Sequence, residues 1–258
     1  MTNTPPSIPE VLQRLAREYP PELAPGQLQD VARIAFNISL VTDRVGTKVR
    51  LADLGGGIGL FSVGCAALGM EAVLVDDFKD DINAQFGEGP LALHRRHGVT
   101  IVTKNVIEEP LGFEPESFDV ITTFDSMEHW HNSPKDLFHE VMRALKPGGL
   151  FVLSGPNCVS IRKRITVPLG IGGWSEMKYW YEEKRFRGHV REPDVRDLRY
   201  IARDMGLERV KIIGRNWLGY HSRFALVRAL TPLVDKPLCL FPSLCADIYL
   251  VGFKPGAS

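Results

Sequence analysis

Long apolar runs are missing from this sequence. No stretch approaches the roughly 20 apolar residues that a membrane-crossing helix requires, and Met1–Pro9 is polar and proline-rich, unlike the apolar heart of a signal peptide. No integral membrane contact is therefore expected. Net charge is missing as well. Lys+Arg and Asp+Glu stand at 31 each, so no overall field draws the chain toward nucleic acid. Cysteine is scarce: Cys65, Cys158, Cys239 and Cys245 lie scattered without C-x-x-C spacing. That argues against a disulfide framework or a structural zinc, and for a reduced, cytoplasmic setting. Repeats and low-complexity tracts are also lacking. What remains is 258 residues, enough for one substantial α/β core with an appended cap.

Glycine is concentrated where it matters. Val49–Ser62 reads VRLADLGGGIGLFS: a short apolar strand carrying a carboxylate, four glycines, then a helix-compatible apolar run. A buried strand, a turn too tight for side chains and a helix whose free N–H groups face that turn give such a pattern. An ordinary glycine-rich βα turn is the alternative for the glycines alone. No Gly-Lys-Ser/Thr follows, which excludes a phosphate-cradling P-loop. The dinucleotide fingerprint G-x-G-x-x-G fails at its third glycine, where Leu60 or Ser62 stands. The pattern that does fit is Asp-x-Gly-x-Gly-x-Gly over Asp53, Gly55, Gly57 and Gly59. Here the chain resembles the class I S-adenosylmethionine-dependent methyltransferases, whose first motif holds the methionine and ribose parts of the cofactor.

The succeeding segments fall in the order that this resemblance implies. Ala72–Val75 reads as a second strand ending at Asp76, placed to accept both ribose hydroxyls, with Asp77 the neighbouring candidate. Leu91–His97 reads as a short helix, and Thr100–Thr103 as a third strand delivering Asn105 and Val106. In the family such a pair contacts the adenine amine and ring, although aspartate is common where this chain has Asn105. Glu116-Ser-Phe-Asp119 leads into a strand ending at Phe124, which joins the implied cofactor set. Asp125-Ser-Met-Glu128-His129-Trp130 follows, then a helix with Pro134 in its first turn, the stop Lys146-Pro-Gly-Gly149 and a strand at Leu150–Leu153. These resemble the family's fourth to sixth motifs.

Outside the motifs, Ile8–Tyr19 and about Leu28–Val45 are amphipathic helices, expected either to form a lid over the cofactor or simply to pack on the sheet. Pro156–Arg187 follows the fifth strand and holds Arg162-Lys-Arg164, Trp174 and Tyr179-Trp180-Tyr181. Its position suits a substrate cap, with Tyr179 and Tyr181 as an aromatic wall. Gly188-His-Val-Arg-Glu-Pro193 precedes an amphipathic helix, Asp194–Met205, resembling a stretch seen in methyltransferases of sugars, lipids and other small molecules. His189 is then a candidate base, and Arg191 either holds an anionic substrate group or pairs with Glu192. Val210–Gly214 and Asp247–Gly252 read as the last two strands, an antiparallel edge by resemblance. Between them lie an aromatic helix around Trp217–Leu230 and prolines at 232, 237 and 242. Trp217, Tyr220, His221 and Phe224 line a substrate pocket, form a homodimer contact or pack the core.

The expected architecture is a Rossmann-like, seven-stranded, mostly parallel sheet flanked by helices. Its parts are a helical lid (1–45), a cofactor core (46–155), a cap insertion (156–190) and the rest of the sheet (191–258) with a helical insertion at about 215–246. The expected activity is methyl transfer from S-adenosyl-L-methionine to oxygen or nitrogen of a small molecule: a sugar, a lipid-linked compound or a natural-product-like acceptor. His129 is the first candidate for general base, or a structural histidine, with His189 second. No compact ligand cluster is legible, so no metal is expected, although Asp125 lies where an acidic loop residue would recruit Mg²⁺. Two rival classes are an NAD- or nucleotide-binding oxidoreductase and a catalytically silent cofactor-binding scaffold.

Overall fold

The computed structural model describes residues 6–79, 85–172, 175–184, 186–220, 222 and 224–256. Among these, seven strands form one sheet: β1 (Arg50–Leu54), β2 (Glu71–Asp76), β3 (Thr100–Thr103), β4 (Phe118–Phe124), β5 (Leu145–Pro156), β6 (Glu208–Arg215) and β7 (Asp247–Phe253), in the order β3-β2-β1-β4-β5-β7-β6. β1 runs parallel to β2 and β4, β2 runs parallel to β3, and β6 is antiparallel to β7. The order reverses at β1, which makes its carboxyl end a switch point where ligands of such sheets bind. The expected fold class holds, antiparallel edge included. β5 starts earlier than the glycines suggest, because Leu145–Gly149 already follows the strand.

The chain divides into two compact units, Met1–Thr122 with Arg143–Leu150, and Thr123–Met142 with Phe151–Ser258. In the first, α1 (Ile8–Ala16) starts where the Ser7 N–H donates to the Glu10 carboxylate at 2.7 Å, and α2 (Ala24–Val45) stops at Gly46 with φ of +74°. Both pack on α3 (Leu60–Ala67), the helix that follows the glycine turn. Leu12, Leu15, Ile38, Leu51, Leu54 and Leu60 are fully buried there. α4 (Glu88–Arg96) begins before the expected Leu91, its first turn holding Glu88 and its last His94, Arg95 and Arg96, which suits the helix dipole.

The second unit is built around Phe151, Leu198, Ile248, Tyr249 and Leu250, all essentially inaccessible. After α5 (Lys135–Ala144), the segment 156–190 carries two short helices, α6 (Ile161–Thr166) and α7 (Met177–Glu182). α8 (Val195–Asp204) is capped by Asp194, which accepts the N–H groups of Arg196 and Asp197. The single aromatic helix expected around Trp217–Leu230 is instead two, α9 (Trp217–Tyr220) and α10 (Ala225–Cys239), and α10 continues through Pro232 and Pro237. Each proline removes one backbone bond. Tertiary anchors oppose that loss: buried Asp235 accepts from Asn216 at 2.9 Å and from the Tyr220 hydroxyl at 3.0 Å.

Helix α3 meets its neighbours through Gly64. A Cβ there would lie 2.6 Å from Leu12 Cδ2 and 2.9 Å from Ile38 Cδ1. Overpacking of this kind costs about 1–3 kcal/mol, which outweighs the roughly 1 kcal/mol of helix propensity that alanine adds over glycine. Gly64→Ala should therefore lower the melting temperature by several degrees. An unchanged or higher value in calorimetry would show that α1 and α2 give way freely.

Candidate active site

The glycine turn is shaped from below by Asp53. This side chain is buried at the tip of β1, its Oδ2 accepting from the Ser62 hydroxyl at 2.7 Å and its Oδ1 from Thr122 at 3.0 Å. Gly56 passes directly over it: a Cβ at that position would fall 2.1 Å from Asp53 Oδ2. Gly57 is different. Its φ of +55° demands glycine, and a Cβ there would meet nothing within 4 Å, so its outer side is open. Burial raises the Asp53 carboxyl to about 6, against the lowering effect of the Ser62 and Thr122 hydrogen bonds, and the charge of Asp76 adds to the rise.

Asp76 ends β2 and braces the turn from the side. Its Oδ2 accepts the Gly57 N–H at 3.0 Å and its Oδ1 the Phe78 N–H at 2.7 Å. Carboxylate oxygens have room for further donors, so a pair of ribose hydroxyls suits this group. Asp77 accepts from Lys79 N–H and from the Asn105 amide. Asn105 departs from its expected use. Its carbonyl oxygen accepts the N–H groups of Ile107 and Glu108 at 3.0 and 3.2 Å, which occupies both lone pairs and leaves no acceptor for an adenine amine. Val106 is buried beside it, and Gly59 caps α3. The third support is His94, fully buried, with Nδ1 2.9 Å from the Pro90 carbonyl and Nε2 3.1 Å from that of Gly59. Burial lowers its pKa.

In the second unit, β4 leads to Asp125, a non-glycine residue at φ +49° whose carboxylate accepts from Ser154 at 3.0 Å. The 3₁₀ turn Met127–His129 follows. The Glu128 carbonyl accepts the N–H groups of Val190 and Arg191 at 2.7 and 3.3 Å, which brings His189 against His129, with ring centroids 4.9 Å apart and nearly perpendicular. His129 Nδ1 lies 2.7 Å from the Arg187 carbonyl. His189 Nδ1 lies 2.9 Å from Glu192, whose other oxygen pairs with Lys163. Burial lowers the His189 pKa, and His129 and Lys163 lower it further against the opposing charge of Asp125. The buried Glu128 carboxylate completes a group in which ligand-type atoms of Glu128, His129 and His189 all lie within 4.8 Å of one another. Sequence spacing gave no sign of this cluster, because its members come from two distant segments.

The remaining candidates divide. Tyr179 and Tyr181 sit on α7 with most of their surface exposed. Arg191 pairs with Asp197 at 3.2 Å, not with Glu192. Trp217 donates its indole N–H to the Tyr249 hydroxyl at 2.8 Å, and Phe124 packs near the same tyrosine, ring centroids 6.4 Å apart. Tyr220 is tied to Asp235 while Phe224 is exposed. His221 and Trp174 lie outside the described residues. Sequence reasoning missed Gly56, treated as a free position of the motif, together with Ser62, Thr122 and His94. For Ser62 a signal existed: a hydroxyl one turn into the helix, after a carboxylate with no other polar neighbour nearby.

A mostly parallel sheet reversing at β1, an open glycine turn there and a carboxylate one strand away are the features of a Rossmann-like α/β fold. The methyltransferase-domain family matches residues 7–212, and the chain belongs to it. Membership of that family speaks against the oxidoreductase alternative. Among curated relatives, ubiquinone biosynthesis O-methyltransferase of Pseudomonas fluorescens is 30% identical over 128 residues, 47% of this chain and 51% of that protein. Ribosomal protein L11 methyltransferase of Listeria welshimeri is 29% identical over 119 residues, 46% of this chain and 35% of that one. The chain thus spans about half or less of these relatives. Among solved structures, an S-adenosylmethionine-dependent methyltransferase of Thermotoga maritima shares the fold at TM-score 0.54 and 17% identity, covering 96% of this chain and 99% of that one. Phosphoethanolamine N-methyltransferase 2 of Haemonchus contortus, in complex with S-adenosyl-L-methionine, gives 0.54 and 18%, covering 85% and 52%. No helix of the described residues is long and apolar enough to cross a membrane.

The raised pKa of Asp53 has a stability consequence. The folded chain holds this proton more tightly than the unfolded one, whose carboxyl titrates near ~3.9. The stabilisation is therefore complete below about pH 4 and is lost as pH rises through about 6. Asp53→Asn keeps a group that can bond both hydroxyls but cannot titrate. Melting temperatures of both proteins from pH 4 to 7 should converge at the acid end, with the parent falling progressively behind the variant toward neutrality. Parallel curves would mean that Asp53 titrates normally.

Proposed function

We propose that the enzyme methylates an oxygen or nitrogen of a small molecule, with a hydroxyl-bearing acceptor the first choice. The carrying observation is the His129–His189–Glu128 cluster. In each ring Nδ1 faces an oxygen that can only accept, a backbone carbonyl or a carboxylate, so Nδ1 carries the proton and Nε2 keeps its lone pair. Two such nitrogens beside a carboxylate suit the polar end of an acceptor whose proton must leave. Curated relatives named as O-methyltransferases support oxygen over nitrogen. A balanced overall charge, 31 basic against 31 acidic residues, supports a small molecule over nucleic acid. Four free cysteines are in keeping with a reducing, cytoplasmic location.

S-adenosylmethionine supplies an electrophilic methyl carbon on a sulfonium sulfur. The residues of the chain do the holding. Asp76 accepts the ribose hydroxyls, with Asp77 beside it. The open backbone at Gly57, with Gly55 and Gly59 beside it, admits the amino-acid end, Val106 offers an apolar surface to the base, and Asp53 keeps the turn in shape from beneath. Tyr179 and Tyr181 are assigned to the acceptor as an aromatic wall, while Arg191 is already committed to Asp197. Alignment of the nucleophile opposite the leaving sulfur then lowers the barrier through orientation.

Two measurements test this reading. Asp76→Ala should weaken binding of S-adenosylmethionine by about 1–3 kcal/mol, the worth of charge-assisted hydrogen bonds. Unchanged affinity in calorimetry would remove Asp76 from the site. His129→Asn should lower turnover about 10²–10⁴-fold, with cofactor affinity nearly intact. Turnover is followed as S-adenosylhomocysteine released with catechol, polyol and amine acceptors in parallel. Release with amines alone would overturn the hydroxyl assignment, and a normal rate in the variant would place the chemistry elsewhere.

A further inference from the structure

We propose that Glu128, His129 and His189 form the binding site of one divalent first-row transition cation, of the Zn²⁺ or Mn²⁺ type. The site lies wholly within the second unit, so its existence stands apart from the methyl-transfer reading. Its use rests on that reading: the coordination positions left open by three protein ligands take oxygen atoms of the acceptor, and the bound cation, in place of a free imidazole, makes the acceptor hydroxyl acidic, its proton passing to solvent.

The donor set is the first argument. Two imidazoles and one carboxylate, with one ligand atom of each within 4.8 Å of the others, are the elements of a three-ligand metal site that keeps positions free. Atoms bound to one cation at about 2.1 Å lie about 3–3.5 Å from one another, so side-chain adjustments of the order of 1 Å close the set. The second argument lies in the surroundings. Histidine ligands characteristically donate their other ring N–H to a carbonyl or carboxylate, which fixes the tautomer and turns the lone pair toward the metal. Both rings set Nδ1 against such a group here, His129 at the Arg187 carbonyl and His189 at Glu192. Glu192 is itself held by Lys163, a side chain only 8% exposed. The backbone clasp is the third argument. The Val190 and Arg191 N–H groups on the Glu128 carbonyl hold the two ligand segments together by bonds that no side-chain chemistry requires.

Ligand identity selects the metal. Mg²⁺ and Ca²⁺ favour oxygen-only shells, whereas imidazole nitrogen favours first-row transition ions, and the lack of thiolate leaves room for both Zn²⁺ and Mn²⁺. The charge balance agrees. Asp125 adds negative charge at His189, and that of Glu192 is offset by Lys163.

The test uses the whole chain, stripped by chelation and titrated calorimetrically with ZnCl₂, MnCl₂ and MgCl₂. One Zn²⁺ per chain is expected, bound at least tenfold more tightly than Mg²⁺. His129→Ala and His189→Ala should each weaken Zn²⁺ at least tenfold without changing the affinity for S-adenosylmethionine. Glu192→Gln, which removes no ligand, should weaken it less, and His139→Ala, at an exposed position of α5, should leave it unchanged. Should either ligand variant fail to fold, Co²⁺ added to the parent protein decides by its visible d–d absorption. No saturable binding, binding indifferent to both histidines, Mg²⁺ bound as tightly as Zn²⁺, or Co²⁺ without such bands would each overturn the site. Stoichiometric Zn²⁺ without methylation of any hydroxyl acceptor would uphold the site and refute its use. Methylation by protein that binds no Zn²⁺ would refute the site and leave the proposed function standing.

Discussion

A buried carboxylate holds the first unit of this protein together. Asp53 lies at the end of β1 with Ser62 of α3 on one oxygen and Thr122 of β4 on the other, so three elements meet on one side chain. Removing a carboxylate from water is costly, and its pKa of about 6 records that cost. The two hydroxyls offset part of it, and the result is a turn with no latitude, since Gly56 has space for a hydrogen and nothing larger. Asp76 from β2 and His94 from α4 then take hold of Gly57 and Gly59. The backbone of the turn is thus supported from below and from two sides while the outer side of Gly57 stays open.

The second unit solves a different problem, that of joining segments remote in sequence. Here backbone groups do the joining. The Glu128 carbonyl takes two N–H groups from 190–191, the Asn157 N–H reaches the Ala246 carbonyl, and the Asn157 amide bonds the carbonyls of Ser243 and Cys245. Such bonds fix where the side chains of 128, 129 and 189 must stand. By contrast the ion pairs at the rim, Arg191 with Asp197 and Lys135 with Asp204, are exposed and contribute little to stability.

Much of the core could be read before any coordinates. Alternation of strand, glycine turn and helix gives local signals, and each of the seven strands appears within a few residues of its expected place. Errors collected where tertiary contacts overrule local preference. α10 runs through two prolines because Asp235 is anchored by Asn216 and Tyr220, partners that propensity does not see. Asn105 spends its carbonyl on its own turn because Ile107 and Glu108 N–H groups lie closest to it, a choice that depends on backbone geometry and not on residue type.

What the sequence by itself determined is the Rossmann-like sheet, the glycine turn with Asp53 and Asp76, and hence the cofactor. Those features depend on residues within one strand–helix–strand passage, where spacing along the chain dictates spacing in space. Only the tertiary structure decided the company of His129. Its neighbour His189 arrives from a segment sixty residues on, through hydrogen bonds between main-chain atoms that every residue type possesses and that therefore leave no trace in composition or periodicity. Tautomers, the partner of Arg191 and the crowding at Gly56 are of the same kind. They are set by distances between atoms far apart in the chain, and a linear pattern carries no distances.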